Sequence, residues 1–290
     1  MADNNPSISP AFAALVDDAA IYPPGNAPLD EAVRAHFLRR VGENHPLVGS
    51  FVIGDHQLND LVGLVTDSLP LSIVIGAGAG GIAPALSIAH RIGGVRAAGL
   101  EIALRDHDDL AGNARRVVAA VDQARDLALL DDEVAVYVEL PQGTPTHGWL
   151  SAADVVAAAE LRLKFRTGGM DADFFPSTAD LGSWIIAALD RETPFKCTAG
   201  LHNAVRHSGA DGFEHHGFLN VLMATRASLD GADSRTVQGV LGERDGALLA
   251  ADARDSVGLD ALGRARRWFT SFGSCSIAEP EHDLCELGLA

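Results

Sequence analysis

Apolar and polar positions along this chain alternate in two rhythms. Short runs rich in Val, Ile and Leu, with a two-residue period, are separated by alanine- and charge-rich stretches with helical spacing. The two-residue pattern predicts strands at 15–21, 47–54, 71–75, 98–104, 134–140, 161–166, 194–198 and 270–277. Helical spacing is clearest at 29–40, 109–125 and 177–189. Helix starts are signalled by Pro28-Leu29-Asp30-Glu31, by Ser151 with Asp154, and by Pro176-Ser177 with Asp180. Eight strands alternating with helices predict an α/β protein, a single (β/α)8 barrel of TIM type spanning 1–290. The stretch 214–267 adds extra helices after the seventh strand, and no linker divides the chain.

Composition narrows the picture. With 290 residues, 47% of them hydrophobic, the chain can bury a large core, which argues against disorder. A net charge of −17 without basic patches disfavours nucleic acid and anionic membrane surfaces as partners. Only 69–89 lacks charge long enough to resemble a membrane span, and its glycines and Pro84 read instead as a strand, a turn and a buried helix. Three cysteines without metal-like spacing, and no signal peptide, point to the cytoplasm. A small-molecule substrate is the partner expected of such a barrel, and self-association into a homo-oligomer is left open.

Barrel enzymes place their chemistry at the C-terminal strand ends, so the lumen-facing positions decide function. If Leu161, Leu163 and Phe165 face the helices, Arg162, Lys164 and Arg166 face inward. The same alternation turns Lys196 and Thr198 inward on the seventh strand, Glu101 and Arg105 on the fourth, and Tyr137 and Glu139 on the fifth. Lumens are normally filled by Val, Ile and Leu, and burying charge is costly unless it is paired. Either Glu101 and Glu139 neutralise Lys164 and Lys196 in a structural network, or these groups form a catalytic site.

Of 22 basic residues only two are lysine, and both fall on neighbouring strands. Arginine serves most surface roles but never acts as a nucleophilic amine. Arg166 and Lys196 beside Lys164 predict a lowered pKa there, which is the requirement for Schiff-base chemistry.

These motifs resemble the class I deoxyribose-phosphate aldolase family, mainly over the C-terminal half and as a divergent relative. The sixth-strand motif is Lys164-Phe165-Arg166-Thr167-Gly168-Gly169, the seventh Lys196-Cys197-Thr198-Ala199-Gly200, the eighth Phe272-Gly273-Ser274-Cys275-Ser276. Glu101-Ile102 on the fourth strand is also similar. The resemblance implies a lyase in which Lys164 forms an imine with a small, anionic or phosphorylated carbonyl compound and Lys196 tunes it. Gly200 and Gly273-Ser274 would offer backbone N–H groups to the anion. Ala103 stands where the family has its aspartate, leaving proton transfer to Glu101, Glu139 or a histidine.

Substrate contacts are further expected from Asp17, Asp18, Arg105, Arg166, Thr167, Gly168, Gly169, Thr198 and His202. Asp17 and Asp18 end the first strand, and one of them should reach the mouth. Gly76, Gly78 and Gly81 satisfy a dinucleotide GxGxxG pattern with Glu101 about twenty residues on. A tight turn lining the mouth explains the same glycines. His202, His207, His215 and His216 could bind zinc on a loop but show no HxH or HExxH spacing, so neither metal nor cofactor is assigned. In another reading both lysines stay protonated and stabilise an enolate or carboxylate electrostatically. Trp149 and Trp184 read as core, and Cys197 as a buried apolar residue.

Overall fold

A computed structural model describes residues 8–41 and 45–290. In chain order the strands are β1 (Val16–Asp18), β2 (Val48–Gly54), β3 (Leu69–Ile75), β4 (Val95–Ala103), β5 (Ala135–Glu139), β6 (Arg162–Arg166) and β7 (Phe195–Thr198). After β7 come a two-stranded hairpin, β8 (His207–Ser208) with β9 (Glu214–His215), and the last strand, β10 (Phe269–Ser274). All but the hairpin strands close into one parallel barrel in the order β1-β10-β7-β6-β5-β4-β3-β2. This is the expected TIM-type barrel.

Helices α1 (Leu29–Val41), α2 (Ile82–Ala89), α3 (Leu110–Asp126), α4 (His147–Ala158) and α5 (Thr178–Leu189) follow β1, β3, β4, β5 and β6. A 3-10 segment, Asp55–Leu61, stands in for the helix after β2. Between β9 and β10 lie the extra helices α6 (Phe218–Leu229), α7 (Ser234–Gly242), α8 (Gly246–Ala251) and α9 (Leu259–Ala265), and α10 (Ala278–Glu286) closes the chain. Among the described residues no helix is long and apolar enough to cross a membrane.

Local sequence explains most boundaries. Ser177 caps α5 by accepting from the Asp180 amide while donating to the Asp180 carboxylate, satisfying one of the helix's free N–H groups. The Ser151 signal is corrected. Helix α4 begins at His147, capped by Thr146, whose Oγ1 accepts from the Trp149 amide, so Ser151 lies inside it. Strand β1 is shorter than expected because Asp18 Oδ1 accepts from the Ala20 amide and turns the chain.

Outward-facing residues of β6 and β7 pack under the helices as expected. Phe165 contacts the rings of Trp149, Trp184 and Phe195, and Phe195 stacks on Phe269. The indoles of Trp149 and Trp184 donate to the carbonyls of Pro141 and Gly143. Large rings with satisfied polar edges hold β6 and β7 rigidly, and so fix what their inner faces present.

Candidate active site

Parallel register puts Lys164 opposite Lys196 on β7 and opposite Glu139 on β5. Glu139 in turn pairs with Ala103 on β4, so Ala103 occupies the lysine level. Glu101 starts one inward position lower, opposite Tyr137, and its longer side chain reaches up to both ammonium groups.

The result is a chain of six alternating charges. Lys196 Nζ donates to Asp17 Oδ2 and Glu101 Oε1, both at 2.7 Å. Lys164 Nζ lies 2.7 Å from Glu101 Oε2 and 2.9 Å from Glu139 Oε2. Arg166 Nε donates to Glu139 Oε1 at 2.9 Å. From Lys196 outward to Arg166, burial falls. Lys196, Glu101 and Lys164 are 1%, 2% and 3% exposed, whereas the Arg166 side chain is 34% exposed, so Arg166 marks the open end. Three carboxylates balance three cations, as burial requires.

The electrostatic consequence reverses the expected tuning. Burial alone would lower both lysine pKa values, but Glu101 and Glu139 around Lys164, and Asp17 and Glu101 around Lys196, outweigh it and hold both above the ordinary lysine range. Burial likewise raises Glu101 and Glu139, yet the facing cations hold both below the usual carboxylate range. Lys196 does not depress Lys164, because Glu101 stands between them.

Asp17 reaches the lumen but is saturated: Oδ1 accepts from the Ser50 amide and hydroxyl, Oδ2 from Lys196 and the Ser271 hydroxyl. It anchors Lys196, with no acceptor left over for a substrate hydroxyl. Asp18 points the other way, to His36 Nδ1 (3.1 Å) and Arg39 Nη1 (2.8 Å) on α1, and so leaves the candidate site. Arg105 is corrected too. Strand β4 ends at Ala103, and Arg105 is exposed, its amide bound to Asn113 Oδ1.

The motif loops come together at the mouth, although their polar groups are largely used. Thr167 Oγ1 donates to the carbonyls of Ala199 and Thr198, stitching the ends of β6 and β7. Gly200 has φ +75, and a Cβ there would meet the Thr167 carbonyl at 2.6 Å, while one on Gly168 would meet Gly200 Cα at 2.7 Å. Gly169 packs on Phe174. Gly273 lies level with Asp17 and Thr198, and the Ser274 hydroxyl closes on the Ser276 backbone. His202 sits apart, on Glu279 and Cys275.

Three hydroxyl residues escaped the sequence reading. Ser72 donates to Glu101 Oε1 at 2.6 Å, and Ser50 and Ser271 hold Asp17. Tyr22 did as well. Its hydroxyl is buried without a partner among the described residues, and burial together with the nearby Glu101 and Asp55 charges pushes its pKa up. Inward alternation was the available signal for the serines; Tyr22, on a loop, gave none.

Glu101, which a dinucleotide motif would use on a ribose, is committed to both lysines, and the Gly76 amide donates to Asp55. The loop histidines take separate partners, Glu279, Val205, Asp211 and Pro176. Among the described residues no cluster of three or more His, Cys, Asp or Glu is placed to hold a metal. An open cavity of about 480 Å³ between Met223, Val240 and Ser256 lies in the added helices, away from the charge chain. The lumen is the stronger candidate, because buried, perturbed titratable groups concentrate at functional sites.

Comparison with protein-family models, curated proteins and solved structures returned no match. The fold is one common among enzymes.

Proposed function

We propose that the protein is an aldolase-like lyase that binds a small carbonyl compound as an imine on Lys164. The observation that carries this reading is the placement of the Lys164 amine between two carboxylates, 2.7 and 2.9 Å away, near the open end of the lumen. Either carboxylate can take the ammonium proton and later return it. Held above the ordinary lysine range by the two carboxylates, the amine is protonated at neutral pH, and freeing it has an energetic cost.

The chain supplies a way to meet that cost. An anionic substrate group drawn to Arg166 competes with Glu139 for the guanidinium. Glu139, relieved of one cation, becomes more basic and accepts the Lys164 proton. The neutral amine adds to the carbonyl carbon and water leaves. Cleavage of the adjacent carbon–carbon bond sends its electron pair toward the imine nitrogen, and Glu101 or Glu139 manages the proton. Lys196, clamped by Asp17, keeps Glu101 ionised.

The raised Lys164 pKa favours a second reading, in which both lysines remain charged and stabilise an enolate or carboxylate. Lys164→Arg separates the two. Loss of all turnover is expected for the imine, because guanidinium forms none at neutral pH, and retained turnover would favour the electrostatic reading.

A further inference from the structure

A second reactive constellation lies at the mouth, outside the charge chain. Cys275 follows β10, and its Sγ lies 3.8 Å from His202 Nε2 on the loop after β7. The other ring nitrogen, Nδ1, lies 2.8 Å from Glu279 Oε2 in the first turn of α10. Thiol, imidazole and carboxylate thus stand in line, the order in which a base oriented by a third group activates a nucleophile. We propose that Cys275 is a nucleophilic thiol, with His202 as its base and Glu279 orienting the ring, that exchanges with low-molecular-weight disulfides. The proposal stands apart from the amine chemistry, since neither lysine bonds to these three residues.

Burial opposes a charge on the His202 ring, but its bonds to Cys275 and Glu279 outweigh burial and hold it up at about 9. At neutral pH the ring is therefore an imidazolium facing the sulfur, the cation against which a thiolate is favoured. Access comes from the mouth: Cys275 is half-buried, and the Glu279 side chain is 53% exposed. Space limits the partner to a small one. The turn after Tyr22 lies so close that a Cβ on Gly25 would sit 3.0 Å from Cys275 Cβ. In the exchange, Cys275 Sγ, paired as a thiolate with the His202 imidazolium, attacks one sulfur of the disulfide. A new S–S bond to Cys275 forms, the old one breaks, and the departing thiolate takes the proton from His202, leaving a neutral ring.

The protein's own cysteines supply the controls. Cys197 is buried and Cys285 is exposed. Iodoacetamide, and separately 2,2′-dithiodipyridine, would be reacted with the intact protein at pH 7, and labelling at each cysteine followed by peptide mass. Cys275 should react about tenfold or more faster than the more exposed Cys285, and His202→Gln should remove that advantage. Equal rates in the unaltered protein would overturn the proposal. So would an undiminished Cys275 rate in His202→Gln with Cys197 still protected. If His202→Gln uncovers Cys197, and so has unfolded, Glu279→Gln decides by the same two outcomes.

Discussion

Glu101→Gln removes the one anion shared by both lysines while keeping the side chain's size. The lumen then holds two carboxylates against three cations. Removing one partner of a buried charge pair costs about 3–5 kcal/mol, because the remaining charge is left uncompensated. Lys196→Met has the mirror effect, leaving three carboxylates against two cations, and should cost a similar amount. Joined in one protein, the two changes restore the balance at two against two. The double variant should therefore lose clearly less than the sum of the singles, with a coupling of about 1–3 kcal/mol. Urea unfolding of the four proteins, with m held common, gives the three differences. Strict additivity would refute the charge-chain reasoning, since independent groups would not share a compensating charge.

Stability should peak near pH 6.5. Burial holds His216 down at about 4, so its contribution is complete above 6.5 and is lost as pH falls from there to 4. His202, held up at about 9, contributes fully below 6.5 and loses it as pH rises through 9. Each limb is on the order of 3 kcal/mol, and thermal melts of His216→Gln and His202→Gln should flatten the acid and alkaline limbs respectively. Phe165→Ala should cost about 3–5 kcal/mol in urea unfolding, because its fully buried ring touches three other aromatic side chains. Tyr22→Phe should leave stability within about 1 kcal/mol, since it deletes a buried hydroxyl that has no partner among the described residues. A loss of several kcal/mol in melts would show that the hydroxyl is bonded.

Much of the site was legible because it depends on which face a strand residue takes. Alternation placed Lys164, Lys196, Glu101, Tyr137 and Glu139 on one face, and their side chains do meet one another there. What alternation does not give is the partner of each side chain. Asp17 meets Lys196 across 179 residues, a contact that exists only because β1 and β7 flank β10 in the closed barrel. The same gap inverted the expected tuning of Lys164: cations were visible beside it in the sequence, whereas the reach of Glu101 between the lysines was not. Asp18 and Arg105 failed for a simpler reason. Asp18 takes the outward phase of a three-residue strand, and Arg105 lies beyond the end of its own. Thr146 overrode Ser151 because a proline and a capping hydroxyl lie immediately before α4. Tyr22 sits on a turn, where no periodicity orients a side chain.

Covalent trapping tests the central claim most directly. The protein would be incubated with acetaldehyde, pyruvate, dihydroxyacetone and glyceraldehyde 3-phosphate in turn, reduced with borohydride, digested and mapped by peptide mass. The charge-chain account predicts a reduced adduct on Lys164 from at least one of these compounds, with Lys196 unmodified and no adduct in Lys164→Arg. Adducts on neither lysine, or on Lys196 with Lys164 untouched, would contradict it.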